Sequence, residues 1–221
     1  MNTNSDLSLD YLIRKPAVTS ENPPLLLMLH GYGSNEQDLF SFAEELPQEM
    51  LIISARAPLS LGFGSYAWYS INFEADSENF SNLTEANQAL QTIDHFIDEL
   101  IETFTPDPNN FFLMGFSQGT ILSMAYALNH PGKVQHVLGL SGYVNLKLIR
   151  TPLEAGTYIN LDFFVTHGSD DQVIPVEWAR KTPDFLNKLG IENSFKEYPV
   201  GHGVAPQNFY DMLDWIKKHL Y

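Results

Sequence analysis

The chain has 221 residues, of which 44% are hydrophobic and 18% are charged, and we expect one well-buried domain over residues 1–221. Its formal charge of −15 argues against nucleic acid or an anionic membrane surface as a partner. Cysteine is absent, which excludes disulfides, thiolate nucleophiles and cysteine-bound metals.

The first residues, "MNTNSDLSLDYLIRKPAV", do not combine a basic start with a following apolar run, so no secretory signal is predicted. The apolar run from Leu25 to Leu29 is too short to cross a bilayer. We therefore expect a cytoplasmic protein without a membrane span.

Strand-like and helix-like segments alternate along the chain. Short apolar runs predict strands near residues 11, 25, 51, 110, 134, 161 and 193. Helical patterns begin near residues 35, 82, 118, 176 and 206; the clearest starts at Asn82 and stops before Pro106. Pro183 is expected to break or kink the fourth helix. This alternation predicts an α/β fold, with a mostly parallel central sheet flanked by helices.

A long aromatic and then acidic segment, residues 60–81, fits neither pattern. Long loops in compact domains are often functional, and the aromatic residues favour a role in substrate binding. Two alternatives are that the rings cap the core and that the loop mediates homodimerisation. The aromatic residues are Phe63, Tyr66, Trp68, Tyr69 and Phe73.

The sequence "GFSQG" places Ser117 between Gly115 and Gly119, after an apolar strand and before a helix. A sharp strand-to-helix turn of this kind strains the serine backbone and exposes its hydroxyl, as a nucleophile requires. Side chains at the two glycine positions would collide with the neighbouring strand or helix. The alternative is an ordinary turn in which Ser117 caps the helix.

A serine nucleophile needs a base, and the base needs an orienting acid. Asp170 and Asp171 follow a later strand in "HGSDDQVIP", and His202 follows the next strand in "GHGV". Among the seven histidines, His202 alone lies in a glycine-flanked loop before the last helix. The order Ser, Asp, His is the order that this architecture uses.

The oxyanion of an acyl-transfer intermediate needs backbone N–H donors. We expect one from Gln118, directly after Ser117, and another from Tyr32 in the loop "HGYG" that follows an early strand. Gly31 and Gly33 allow the tight turn that this loop requires.

The remaining histidines are expected to be packed, solvated or structural. His30 and His167 precede glycines at strand ends, where their side chains support loops. His30, His167 and His202 with nearby aspartates lack a compact metal-ligand spacing, so we expect no metal and no cofactor. The others lie in helices, at helix ends or on strand faces: His95, His130, His136 and His219.

The motifs resemble, in order, those of the phospholipase/carboxylesterase group of α/β-hydrolases, which includes acyl-protein thioesterases and small bacterial carboxylesterases. They are "LHGYGSNEQDL", "GFSQGT", "LSGY", "HGSDDQVIP" and "GHGV", and they extend over nearly the whole chain. The resemblance implies the α/β-hydrolase fold. It also implies that Ser117 is the nucleophile, Asp171 the acid and His202 the base, with Tyr32 and Gln118 at the oxyanion hole.

The resemblance also suggests where substrate binds, because relatives build part of the substrate groove from the region of the aromatic loop. Phe63, Trp68 and Tyr69 are therefore expected to contact substrate. The first glycine motif reads "HGYGSN", whereas relatives that act on acylated proteins read H-G-L-G-D. The bulky Tyr32 argues against a long-chain protein substrate.

Together these features predict a serine carboxylesterase that acts on a small-molecule ester through an acyl-enzyme. Thioesters and lysophospholipids remain open as substrates. The alternatives are a lactonase or peptidase on the same fold, or a non-catalytic binding protein, since a fold does not settle a function.

Overall fold

A seven-stranded sheet forms the centre of the protein, with a small two-stranded hairpin beside it. The structure is a computed structural model and describes residues 3–72, 80–150 and 156–220. The strands are β1 (Tyr11–Arg14), β2 (Leu25–Leu29), β3 (Leu51–Ala55), β4 (Leu59–Gly62), β5 (Ser65–Ala67), β6 (Phe111–Phe116), β7 (His136–Leu140), β8 (Asp162–Gly168) and β9 (Glu192–Tyr198).

The strand order is β1-β3-β2-β6-β7-β8-β9. β1 runs antiparallel to β3, and every other neighbouring pair in this sheet is parallel. All seven predicted strands therefore lie in one sheet, which confirms the expected α/β architecture. The carboxyl ends of the parallel strands share one edge, where ligands bind in open sheets of this kind.

Helices cover both faces of the sheet because its central strands are apolar on both sides. In β2 every residue is buried, and alternate side chains enter two different cores. α1 and α6 pack on one face, and α2 and α3 pack on the other. The helices are α1 (Gln37–Phe40), α2 (Leu83–Phe104), α3 (Gln118–Asn129), α4 (Val176–Ala179), α5 (Lys181–Lys188) and α6 (Pro206–Leu220).

Two predicted helices are shorter or more divided than expected. The helix expected from residue 35 consists of α1 and a separate 3₁₀ turn at Ala43–Glu45. The helix expected from Val176 is divided at Arg180 into α4 and α5. Pro183 then falls in the first turn of α5, where its missing N–H costs no helical hydrogen bond.

The hairpin β4–β5 overlaps the start of residues 60–81, the segment that was expected to be a long loop. It contacts the loop after β2, because the N–H of Gly33 donates to the carbonyl of Tyr66 (2.9 Å) and the N–H of Tyr66 donates to the carbonyl of Ser34 (2.8 Å). The predicted aromatic residue Phe73 lies outside the described residues.

Among the described parts of the chain, no helix has the length and apolar character needed to cross a membrane.

Candidate active site

Ser117 stands at the turn between β6 and α3, in the backbone conformation expected of a strained elbow. Its φ is 52° and its ψ is −112°, a left-handed conformation that residues with a Cβ rarely adopt. Its N–H donates to the carbonyl of Leu140 at the end of β7 (2.8 Å), which holds the turn against the sheet. The side chain does not cap the helix, so the alternative of a simple N-cap serine does not describe this turn.

The two glycines of the elbow are required by close backbone packing. A Cβ at Gly119 would overlap the carbonyl oxygen of Leu29 in β2, and a Cβ at Gly115 would overlap the backbone of Gly119. Backbone atoms cannot rotate away as a side chain can, so neither position has room for a side chain. The collision expected from the sequence is therefore present at both positions.

The imidazole of His202 lies between the hydroxyl of Ser117 and the carboxylate of Asp171. Nε2 is 2.9 Å from Oγ of Ser117, and Nδ1 is 2.7 Å from Oδ2 of Asp171. A carboxylate only accepts hydrogen bonds, so Nδ1 carries the proton and Nε2 can accept one from the serine hydroxyl. Three side chains from distant segments thus form one hydrogen-bonded line.

Asp171 is held in its ionised form by the loop around it. Its Oδ1 accepts the N–H groups of Val173 (2.8 Å) and Ile174 (2.9 Å), and Nε2 of His167 lies 3.3 Å from Oδ2. Burial alone would raise the pKa of Asp171. The hydrogen bonds from His167, His202 and Ile174 outweigh it and hold this pKa well below its ordinary value.

Asp170, the other candidate acid, is exposed. Its described contact is a backbone one, from its N–H to the carbonyl of Val200 (3.1 Å). The geometry therefore favours Asp171 as the partner of His202.

The loop after β2, residues 30–33, lies directly beside the elbow, and we call it the glycine loop. A Cβ added to Gly31 would lie 3.3 Å from Cβ of Ser117. Gly31 therefore packs directly against Ser117, and Tyr32 is the next residue in the chain, so its N–H stays a prediction as an oxyanion donor. Gln118 begins α3, so its N–H is one of the helix-end donors that have no partner within the helix.

A buried hydrogen-bond network supports the glycine loop, and sequence reasoning did not find it. The side chain of Gln118 accepts the N–H of Trp68 (2.8 Å) and donates to the carbonyl of Tyr69 (2.7 Å). The indole N–H of Trp68 then donates to the carbonyl of His30 (2.9 Å). Gln118 was predicted only for its backbone N–H. The Gln118 side chain is fully buried, and this burial, which only the structure shows, indicates that the side chain has a structural role as well.

His30 and His167 support loops, as expected. Nε2 of His30 accepts the N–H of Ala57 (3.0 Å), while its Nδ1 donates to the carbonyl of Gly31 (2.8 Å). Burial lowers the pKa of His30, so the ring is neutral and ties the glycine loop to the segment that follows β3. His167 donates from Nε2 to the carbonyl of Ile174 (2.7 Å) in the loop that carries Asp171.

The three aromatic residues predicted to contact substrate differ sharply in burial. Trp68 and Tyr69 are 1% and 0% exposed, which argues against direct contact with substrate and favours the alternative that these rings belong to the core. Phe63 is fully exposed at the tip of the β4–β5 hairpin, so its contact with substrate stays a prediction.

A cavity of about 540 Å³ lies between the segment that follows β7 and the helices α4 and α5. Tyr143, Trp178 and Phe185 supply aromatic walls, and Lys181 and Lys188 lie on the α5 side. Gly142, directly before this segment, packs against the elbow, since a Cβ there would lie 3.0 Å from the carbonyl oxygen of Ser117. Sequence reasoning did not predict these lining residues.

The fold and this site define a class: an α/β-hydrolase, with a serine elbow at the carboxyl edge of a mostly parallel sheet. The family model described as phospholipase/carboxylesterase matches residues 14–220. The chain belongs to this family, and it is a hydrolase of the carboxylesterase and acyl-protein thioesterase type, as the motifs predicted.

Relatives and solved structures agree with this assignment. The carboxylesterase SOBER1 of Arabidopsis thaliana is 29% identical over 210 residues, which cover 88% of this chain and 90% of the relative. Acyl-protein thioesterase 1 of Yarrowia lipolytica is 25% identical over 221 residues, which cover 94% and 96%. The structure of a carboxylesterase from Mesorhizobium loti has a TM-score of 0.83 at 19% identity, covers 98% of both chains and shows the shared fold.

Proposed function

We propose that the protein is a serine carboxylesterase that hydrolyses small carboxylic esters with Ser117 as nucleophile, His202 as base and Asp171 as the orienting acid. The observation that carries this proposal is the hydrogen-bonded line from Ser117 Oγ through His202 to Asp171. It is supported by the strained φ of Ser117, a conformation that clusters at functional sites.

In the first half of the reaction, Oγ of Ser117 attacks the ester carbonyl carbon while Nε2 of His202 takes the hydroxyl proton. The carbonyl oxygen becomes an oxyanion, which the backbone N–H groups of Tyr32 and Gln118 stabilise. The tetrahedral intermediate collapses, the C–O bond to the leaving alcohol breaks, and His202 donates its proton to that alcohol. An acyl ester on Ser117 remains.

In the second half, water attacks the acyl-enzyme while His202 takes one of its protons. The carboxylic acid leaves and Oγ of Ser117 regains its proton. Asp171 holds the Nδ1–H tautomer of His202 throughout and stabilises the imidazolium that forms in each half. The low pKa of Asp171 keeps it anionic for this task. The full cycle consumes one water molecule and returns Ser117 and His202 to their starting protonation states.

Other acyl substrates fit the same chemistry. Thioesters and lysophospholipids need the same attack on an acyl carbon, so the line of side chains admits them as well. Tyr32 is exposed (37%) and follows Gly31, which packs against Ser117, and we propose that its bulky ring limits the length of the acyl chain. We therefore expect a preference for short acyl groups.

The decisive test replaces Ser117 by alanine and measures hydrolysis of p-nitrophenyl acetate. We expect Ser117→Ala to lower kcat by a factor on the order of 10⁴ or more, because the covalent route is lost. Ser123→Ala is a matched control, since Ser123 is buried in α3, which begins directly after Ser117, and its hydroxyl has no described hydrogen-bond partner. Substantial turnover by Ser117→Ala would remove Ser117 from its proposed role.

Labelling with a fluorophosphonate separates catalytic competence from substrate choice. Oγ of an activated serine forms a bond to phosphorus and fluoride leaves, so we expect one label on Ser117 in the wild type and none in Ser117→Ala. A panel of acyl esters, thioesters, lactones and peptides then ranks the substrates. Absence of labelling in the wild type would favour the non-catalytic alternative. Faster cleavage of lactones or peptides than of esters would replace the esterase assignment.

A further inference from the structure

Two histidines and an aspartate come together at the edge of the sheet opposite to Ser117. His136 is the first residue of β7 and Asp162 is the first residue of β8, and the two are paired in the parallel register. His219 lies in the last turn of α6, which packs over this face of the sheet. Because Ser117 follows the carboxyl end of β6, this cluster lies outside the proposed active site.

The side chains of the cluster face one another with their nitrogen and oxygen atoms. Nδ1 of His136 is 2.8 Å from Oδ1 of Asp162, and Nε2 of His219 is 2.5 Å from Oδ2. One possible ligand atom from each residue lies within 4.8 Å of the others. The carboxylate thus bridges two imidazoles, which come from different secondary-structure elements.

The hydrogen bonds of His219 carry one proton more than a neutral ring can supply. Its Nδ1 is 2.7 Å from the carbonyl oxygen of Trp215, which can only accept, so Nδ1 carries a proton. Its Nε2 faces Asp162, which also accepts unless it is protonated. A proton must therefore lie between Nε2 and Oδ2, a position that a metal ion can take instead.

Aromatic packing holds both imidazoles in place. The ring of His136 lies 4.4 Å from the ring of Phe112, centroid to centroid, and the ring of His219 lies 4.1 Å from that of Trp215. The two imidazole centroids are 4.6 Å apart. Rings fixed in this way lose little freedom on binding an ion, which favours affinity.

We propose that His136, Asp162 and His219 bind a divalent transition metal ion of the Zn²⁺ type, with two nitrogens and one carboxylate oxygen as protein ligands. Zn²⁺ takes such ligands at about 2.0–2.2 Å in a tetrahedral arrangement, which places ligand atoms roughly 3.3 Å from one another. The separations of 2.5 and 2.8 Å join the two histidines to different oxygens of Asp162. One ligand atom from each residue already lies within 4.8 Å of the others, so the side chains reach the tetrahedral spacing by closing at most about 1.5 Å.

The surroundings of the cluster supply what such a site needs. The carbonyl of Trp215 accepts the second ring N–H of His219, and metal-bound histidines almost always have such an outer partner. A cavity of about 620 Å³ borders Asp162 and His219 and leaves room for water at a fourth coordination position. Glu192 and Lys218 also line this cavity, and their opposite charges largely offset each other.

Metal binding changes the protons of the cluster in a defined way. The proton between Nε2 of His219 and Oδ2 of Asp162 leaves to the buffer. The proton on Nδ1 of His136 moves to Nε2 of the same ring, which does not change the net count. One proton is therefore released for each ion bound.

The test uses the full chain without a histidine tag, washed with chelator and then titrated with ZnCl₂ by calorimetry. We expect one ion per chain, about one proton released when two buffers of different ionisation enthalpy are compared, and a higher unfolding temperature with metal. Titration with Co²⁺ should give the visible absorption of a tetrahedral site.

Three variants, His136→Gln, Asp162→Asn and His219→Gln, should each lower the Zn²⁺ affinity at least about tenfold, with near-ultraviolet circular dichroism verifying that they are folded. His95→Gln, an exposed histidine elsewhere, is the matched control. Unchanged affinity in any of the three variants, absence of one-to-one binding, or loss of binding in His202→Gln instead would overturn the proposed site. Failure of the esterase proposal would leave these results unaffected, because none of them depends on hydrolysis.

Discussion

Replacing Asp171 by asparagine tests the proposed hydrogen-bonded line, because the hydrogen bonds of Asp171 define which oxygen faces His202. Asparagine has the same shape but one acceptor oxygen and one NH₂ donor. The two backbone N–H groups of Val173 and Ile174 point at the Oδ1 position. If NH₂ occupied that position, two buried hydrogen bonds would be lost, at about 1–3 kcal/mol each. The oxygen is therefore favoured at that position, because His202 can change its tautomer to face an NH₂ group whereas the two backbone N–H groups can only donate.

The NH₂ group of the substituted asparagine side chain is then forced toward Nδ1 of His202. Because two donors cannot face each other, the imidazole changes tautomer and carries its proton on Nε2 instead. Nε2 then donates to Ser117 Oγ and cannot accept the serine proton. A triad left in the wrong tautomer loses on the order of 10⁴ in kcat, which corresponds to about 5.4 kcal/mol of activation free energy.

The assay is steady-state hydrolysis of p-nitrophenyl acetate by Asp171→Asn, with Asp170→Asn as the matched control. Asp170 is the exposed neighbour, and its substitution should leave kcat within about a factor of three, since exposed side chains contribute little. An Asp171→Asn enzyme that keeps more than about a tenth of the wild-type kcat, or an Asp170→Asn enzyme that is the more damaged of the two, would refute this tautomer reasoning.

The other predictions concern the scaffold around the site. Trp68→Phe removes the indole N–H that holds the glycine loop and should lower kcat about tenfold with little change in KM. This decrease in kcat is smaller than the decrease expected when an oxyanion donor itself is removed. A change confined to KM would contradict the prediction. Gly119→Ala places a Cβ into the backbone of Leu29 and should lower the free energy of unfolding by about 3 kcal/mol or more in urea, whereas Gly203→Ala, which has open space, should not. The pKa of Asp171 is lower in the folded protein than its value of about 3.9 in the unfolded chain, so ionised Asp171 stabilises the fold above that pH and this stabilisation is lost as the pH falls. The difference in unfolding free energy between wild type and Asp171→Asn should therefore shrink in acid. A difference that stays constant with pH would show that the low pKa is not linked to folding.

The sequence by itself determined the elements and their chain order, because these depend on local patterns. Apolar runs such as residues 25–29 predicted strands, and the apolar period after Asn82 predicted α2. The elbow was also readable, since Gly115 and Gly119 bracket Ser117 within five residues of sequence. Local signals were weaker at the β4–β5 hairpin and at the division between α4 and α5, and there the predictions were incomplete.

Only the tertiary structure decided which side chains meet. Trp68 and Tyr69 have the composition of a binding loop, yet both are buried, because Gln118 ties their backbone to the start of α3 from about fifty positions away in sequence. His136 and His219 were expected to be solvated or packed. Parallel register and the packing of α6 bring them to Asp162. Such contacts depend on strand register and helix docking, which a local pattern of residues does not encode.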